Sequence, residues 1–207
     1  EARGIVIERG TTLVNTINNA FTKLNDIVND INYRISIKVD EINSIANQIA
    51  QLNLQIQQTQ IAGASAADLM DKRDLLLDEL SKLVQFETFE YDNGQFTINI
   101  GGAILVKGPD AAAIEFDTSV SDGQIIWKEY NSEVRILKGE LKGLLDLRDD
   151  KLKSYIQQLE TFIQTFATEF NNIHKTGFDL DGNLGEDFFI YDVDNRKWVV
   201  NPEIVKN

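Results

Sequence analysis

The sequence predicts a mainly α protein with a β insertion, an α+β arrangement in which an elongated helical bundle or coiled-coil rod carries a small antiparallel β unit. Two periodicities predict it. Apolar residues recur at steps of three and four from Leu24 to Ile56, and a wide apolar stripe of helical period runs from Leu141 to Ile173. Between those stretches the period falls to two and turn residues punctuate the chain. The order helix, helix, β block, helix makes the helical part discontinuous: residues 1–84 and 137–207 form the rod domain, and residues 85–136 form the β unit.

The first helix runs on the seam Leu24, Val28, Ile31, Ile35, Val39, Ile42, Ile45, Ile49, Leu52 and Ile56, and the similar spacing of Leu13 to Phe21 extends it toward the N-terminus. Between the seam positions lie Asn25, Asn32, Asn43, Asn47, Gln48, Gln51 and Gln55, read as an outer face rich in amides. Gly63 is the expected stop. Ser65 with Asp68 three residues on fits a capping box for a second helix, about Ala66 to Leu83, burying Leu69, Leu76, Leu80 and Leu83. Asp78 and Lys82 are spaced for an i,i+4 pair. After Val84, Phe86 to Tyr91 alternates, Asp92-Asn93-Gly94 signals a hairpin, and Phe96 to Ile100 returns. Gly101-Gly102 reads as a turn before Ile104 to Val106. Ile114–Phe116, Ile125–Trp127 and Val134–Ile136 are the further strand candidates, with Asp122-Gly123 turning between two of them. From Gly139 a long helix returns with a wide stripe that includes Leu144, Leu152, Tyr155, Phe162, Phe166, Phe170 and Ile173, ending near Gly177. The last segment, with Phe188, Phe189, Tyr191 and Trp198, reads as a loop with one or two short strands.

Composition narrows function. The 207 residues hold 20 Lys and Arg against 33 Asp and Glu, a formal net charge of −13. Such a balance argues against nucleic acid or an anionic membrane as partner, because phosphate recognition needs a basic surface. The absence of cysteine removes disulfides, thiolate metal sites and cysteine nucleophiles, and a single histidine removes multi-histidine metal centres. No apolar run approaches a membrane span. The opening Glu1-Ala2-Arg3-Gly4 carries no initiator Met and no leader pattern, so the chain reads as an excised fragment.

No catalytic, cofactor or metal residues are assigned. Asp179-Leu180-Asp181-Gly182-Asn183 begins like a calcium loop, but an EF-hand needs Gly at the sixth and Glu at the twelfth position, where Leu184 and Ile190 stand; a turn is the better reading. His174 ends a helical stripe and is read as interacting with the helix dipole. Paired carboxylates for hydrolysis remain an alternative, since acids are abundant. One echo stands out: Asp71-Lys72-Arg73-Asp74 recurs as Asp146-Leu147-Arg148-Asp149, each beside a Leu-rich stripe. These are either surface ion clusters or a charged contact between subunits. Asp71, Arg73, Asp74, Asp146, Arg148 and Asp149 are therefore the candidate contact residues.

Blocks in order along the chain carry a resemblance. They are Ile49-Ala50-Gln51-Leu52-Asn53, Asp68-Leu69-Met70-Asp71-Lys72-Arg73-Asp74, Ile100-Gly101-Gly102, Lys138-Gly139-Glu140-Leu141-Lys142-Gly143-Leu144-Leu145-Asp146-Leu147-Arg148-Asp149, and Phe170-Asn171-Asn172-Ile173-His174-Lys175-Thr176-Gly177-Phe178, followed by Phe188-Phe189. Together they resemble the family of flagellar hook-associated protein 1, the hook–filament junction proteins. The resemblance implies a structural, non-enzymatic subunit that self-associates in a ring, with the hook protein and the second hook-associated protein as axial neighbours. It also implies an export chaperone, secretion through the flagellar type III apparatus, and no cofactor. Flagellin or the second junction protein is the alternative relative. Without the terminal assembly helices of the family, the fragment is expected to be monomeric or weakly associated.

Overall fold

The structure, a computed structural model, describes residues 2–92, 94–120, 122–178 and 182–206. Its elements in order are α1 (Ala2–Ile61), α2 (Ala67–Leu83), seven strands, β1 (Glu87–Glu90), β2 (Phe96–Ile100), β3 (Ala103–Lys107), β4 (Asp110–Ala111), β5 (Ile114–Asp117), β6 (Gln124–Trp127) and β7 (Ser132–Glu133), then α3 (Glu140–Asp146), a π-helical segment (Leu147–Leu152), α4 (Lys153–His174), the strands β8 (Phe189–Asp192) and β9 (Lys197–Val200), and α5 (Pro202–Lys206). The mainly helical α+β class is as expected. The chain forms two compact units, Glu1–Val28 with Lys151–Asn207, and Asn29–Asp150. The sequence reading groups residues 1–84 with 137–207 and sets residues 85–136 apart as the β unit.

In the unit Asn29–Asp150, α1 buries Ile31, Ile35, Val39, Ile42, Ile45, Ile49 and Ile56, which is the seam read from the sequence. Two antiparallel sheets accompany it, one ordered β1-β2-β3-β4 and one β5-β6-β7. In the first, Thr88 pairs with Ile98 and Ile98 with Val106, and a bulge shifts the register after Ile98. Gly101 and Gly102 turn between β2 and β3 with φ of +59° and +91°, values that glycine adopts freely. Gly139, at φ +96°, precedes α3 where a Cβ would stand 2.5 Å from the Leu83 carbonyl oxygen, so only glycine lets α3 start against the end of α2.

In the other unit, Val14, Ala167, Phe188, Phe189 and Val200 make the core, with Phe166, Phe170 and Trp198 packed against it. Phe188 and Phe189 meet edge-on with centroids 4.8 Å apart. Gly10 lies inside α1 for a packing reason: a Cβ there would come within 2.6 Å of Phe188 Cε1.

Several local expectations are corrected. Ser65 is not the helix cap. Ala66 holds that position, and Ser65 Oγ accepts only a long 3.4 Å bond from the Ala67 N–H. Among the described residues Asp78 and Lys82 form no ion pair; the Asp78 carbonyl accepts the Ser81 hydroxyl at 2.7 Å instead. Leu69 and Leu76 are half-buried, and the inward position between them belongs to Arg73. Val134 and Ile136 are buried without being strand, and the pairing residues are Ser132 and Glu133. Tyr155, Phe162 and Ile173 are exposed, because the stripe on α4 is wider than the face it buries. His174 stands in the last turn of α4, as the sequence reading has it, and its Nδ1 lies 2.7 Å from the Glu186 carbonyl oxygen. Asn93 of the first hairpin and residues 179–181 of the acid-rich turn lie outside the described residues.

The π-helical segment is the element that the sequence reading passed over. Its residues follow a run of fours: Leu144, Arg148 and Leu152 are all buried and Ile156 half-buried. An α-helix of 3.6 residues per turn rotates such a run off its face, whereas a π turn, with i→i+5 bonds, holds it in line.

Candidate functional site

The six candidate contact residues divide by depth. Arg73 and Arg148 are each only 6% exposed. Asp71, Asp74 and Asp149 are exposed, and Asp146 is partly so.

Arg73 projects from α2 into the unit. Its Nη1 donates to Asn53 Oδ1 of α1 at 3.3 Å, and its guanidinium carbon lies 3.9 Å from the centroid of Phe96 on β2. Asn53 Nδ2 in turn donates to the Gly108 carbonyl at 2.9 Å, between β3 and β4. Among the described residues the Nε of Arg73 has no partner. Arg148, in the π-helical segment, repeats the scheme. Its Nη1 donates to Asn32 Oδ1 of α1 at 3.0 Å, and its guanidinium carbon lies 5.7 Å from the Phe116 centroid on β5. Its Nη2 also donates to the Gly123 carbonyl at 3.1 Å, in the turn between β5 and β6. Here a carboxylate completes the arrangement: Asp149 accepts from Nε at 2.7 Å and from Nη2 at 3.0 Å. The sequence echo is thus a repeated clamp, in which an arginine joins an α1 asparagine to a phenylalanine of one sheet. The two clamps share no partner. The planar fork and the weakly hydrated face of guanidinium suit it to this double role.

The acids around them behave as surface groups. Asp71 and Asp74 form no ion pair among the described residues, and Asp146 pairs with Lys142 one turn away. Lys142 is held above its ordinary value, first by that hydrogen bond. Lys38 of α1 bridges Glu41 at 3.0 Å and Glu140 of α3 at 3.2 Å, and the hydrogen bond it donates to Glu41 is the main reason its pKa is raised. Among the described residues no group of three or more His, Asp or Glu is placed to hold a metal, and no helix is long and apolar enough to cross a membrane.

The residues missed from sequence are asparagines. Asn43 and Asn32 do not belong to an outer face. Asn43 Nδ2 donates to the Ile114 carbonyl at 2.7 Å and Asn43 Oδ1 accepts the Ile114 N–H at 2.9 Å, so one side-chain amide serves as a strand partner for β5. Asn18 does the same for Trp198 on β9, at 2.8 and 3.1 Å. Asn171 accepts the N–H groups of Phe188 and Phe189 at 2.9 Å each and donates to the Phe189 carbonyl at 2.8 Å. A signal was available: Asn18, Asn32, Asn43 and Asn53 each directly follow a seam residue, Ile17, Ile31, Ile42 and Leu52. That position stands at the edge of the buried face, where an amide reaches the neighbouring backbone.

The same chain, compared with known proteins, matches the family described as the Flagellar hook-associated protein FlgK helical domain over residues 1–189. It is 36% identical over 200 residues to Flagellar hook-associated protein 1 of Escherichia coli, covering 91% of this chain and 37% of that protein. The relative of the same name in Salmonella typhimurium is also 36% identical, and that in Bacillus subtilis 24%. The fold superposes on the flagellar hook junction protein FlgK from Burkholderia pseudomallei with a TM-score of 0.81 at 26% identity, over 92% of this chain and 36% of that one. The chain thus spans just over a third of the length of these relatives. It belongs to the family of the flagellar hook-associated protein FlgK helical domain.

Proposed function

We propose that this chain is part of a structural subunit of the bacterial flagellum that joins hook to filament and works by contact with its neighbours, not by catalysis. The observation that carries this reading is the family match across residues 1–189, joined to relatives named as a flagellar hook-associated protein and as a flagellar hook junction protein. Self-association in a ring, the hook protein and the second hook-associated protein as axial neighbours, an export chaperone and secretion by the flagellar type III system follow from that assignment. We further assign the contact role among the six candidate residues to the acids Asp71, Asp74, Asp146 and Asp149, with Arg73 and Arg148 holding the surface behind them. Support comes from the exposure of those acids and the burial of the arginines.

Deletion of the gene that encodes this chain should leave hooks without attached filaments in electron micrographs. Filaments of normal length on normal hooks would sink the junction assignment. Asp71→Lys with Asp74→Lys should preserve thermal unfolding while lowering filament attachment; unchanged attachment removes these two acids from the contact set.

A further inference from the structure

The sheet edges of this protein are treated unequally. The outer edge of β5 is met by Asn43 at Ile114, that of β8 by Asn171 at Phe189, and that of β9 by Asn18 at Trp198. Each amide occupies both the donor and the acceptor of an outward-facing residue, which closes that point to another strand. Among the described residues the four-residue edge of β1 has no such cover, and all of Glu87–Glu90 is exposed. Tyr91 N–H donates to the Gln95 carbonyl at 3.0 Å, which sets the phase of the ladder. Glu87 and Phe89, at even steps from Tyr91, turn their backbone groups toward β2, so Thr88 and Glu90 turn theirs outward.

The chemistry around this edge selects an occupant. Glu87, Glu90 and Asp92 form no ion pair among the described residues, and no cation stands on β1. Phe89 and Tyr91 lie on one face of the strand and are 43% and 54% exposed. A second copy of this chain would bring three more carboxylates to the same edge, which disfavours self-pairing. We propose that the outer edge of β1 accepts an extended segment of a different protein as an additional strand of the sheet. Its lysine or arginine side chains pair with Glu90 on one face, and its apolar side chains cover Phe89 and Tyr91 on the other. Backbone bonds to Thr88 and Glu90 supply the attachment, and the charges supply the choice of partner.

The test uses the chain as it stands, with a short peptide of alternating Lys and Val as probe. Two controls accompany it: a peptide of alternating Glu and Val, and a peptide of the same positive charge with Pro in place of Val, which cannot form a ladder. The Lys-Val peptide should bind in calorimetry and slow hydrogen exchange at the Thr88 and Glu90 amides by about tenfold or more, while both controls bind weakly and leave those amides unchanged. Thr88→Pro removes an outward N–H at an edge that tolerates proline and should abolish binding without altering the circular dichroism spectrum. Equal binding of the proline control, binding without protection of Thr88 and Glu90, or no binding at all overturns the proposal. So does concentration-dependent self-association of the chain that Thr88→Pro removes, because the occupant is then a second copy. The wild-type exchange measurement stands even if the Thr88→Pro protein does not fold.

Discussion

The Arg73 guanidinium carbon lies 3.9 Å from the centre of the Phe96 ring, and Nη1 of the same group donates to Asn53 Oδ1 at 3.3 Å. Among the described residues the cation is buried without a carboxylate, and its Nε has no partner. Its contribution therefore comes from stacking and from a single neutral acceptor. Lysine in its place would bring a compact, strongly hydrated ammonium with three donors to satisfy. Arg73→Lys should destabilise the chain by about 2 kcal/mol in urea unfolding, while Arg73→Met, which fills the same space without a charge, should cost less. The reverse order would show that an unseen acidic partner dominates this position.

Asn171 makes three hydrogen bonds to the backbone of Phe188 and Phe189. Asn171→Ala leaves two buried N–H groups and one carbonyl without partners and should cost about 2–4 kcal/mol. Asn172 is exposed, and Asn172→Ala should stay within about 0.5 kcal/mol of the parent. Comparable melting temperatures for the two variants would mean that the strand-capping role of Asn171 contributes little.

The π-helical segment invites a deletion. Removal of exposed Asp150 turns the run of fours through Leu144, Arg148, Leu152 and Ile156 into four, three, four, which an α-helix keeps on one face. The variant should fold with nearly the parent melting temperature. Removal of exposed Gln164 from α4 rotates the following residues by about 100° and turns Ala167 and Asn171 off the buried face, so it should lower stability far more. Equal losses from the two deletions would contradict this account of the segment.

The turn between β8 and β9 carries a pH dependence of known sign. Asp192 accepts the Asn195 side-chain amide at 2.7 Å and the Asn195 backbone N–H at 3.0 Å, and these bonds hold its carboxyl below the ordinary value of 3.8, the side-chain bond contributing most. A carboxyl lowered on folding contributes stability that is present above its unfolded value and is lost as pH falls through its folded value. Carbon-detected NMR titration should place the Asp192 midpoint below the ordinary value of 3.8. Asn195→Ala should move it back up, and an unmoved midpoint would falsify the attribution.

Legibility followed periodicity. The α1 seam, the buried Leu80 and Leu83 of α2, the hairpin near Gly94 and the turn at Gly101-Gly102 were readable because each rests on local spacing or on a backbone angle that few residues adopt. The resemblance to junction proteins was readable for a related reason, since it depends on the order of short blocks along the chain. The echo of two Asp-x-Arg-Asp motifs was visible, but its meaning was open, because spacing places both arginines on helices without saying what lies opposite them.

What the sequence by itself determined is the class, the order of elements and the family, all of which depend on pattern along one dimension. Only the tertiary structure decided that Arg73 and Arg148 turn inward onto Phe96 and Phe116, and that Asn18, Asn43 and Asn171 stand in for missing strands. The physical reason is that a polar side chain at the margin of a helix seam is equally at home in water or against an unpaired backbone group. Its direction is settled by whether a strand arrives with an N–H and a C=O to be satisfied. That arrival depends on contacts between residues as far apart as Asn18 and Trp198, which local spacing does not encode.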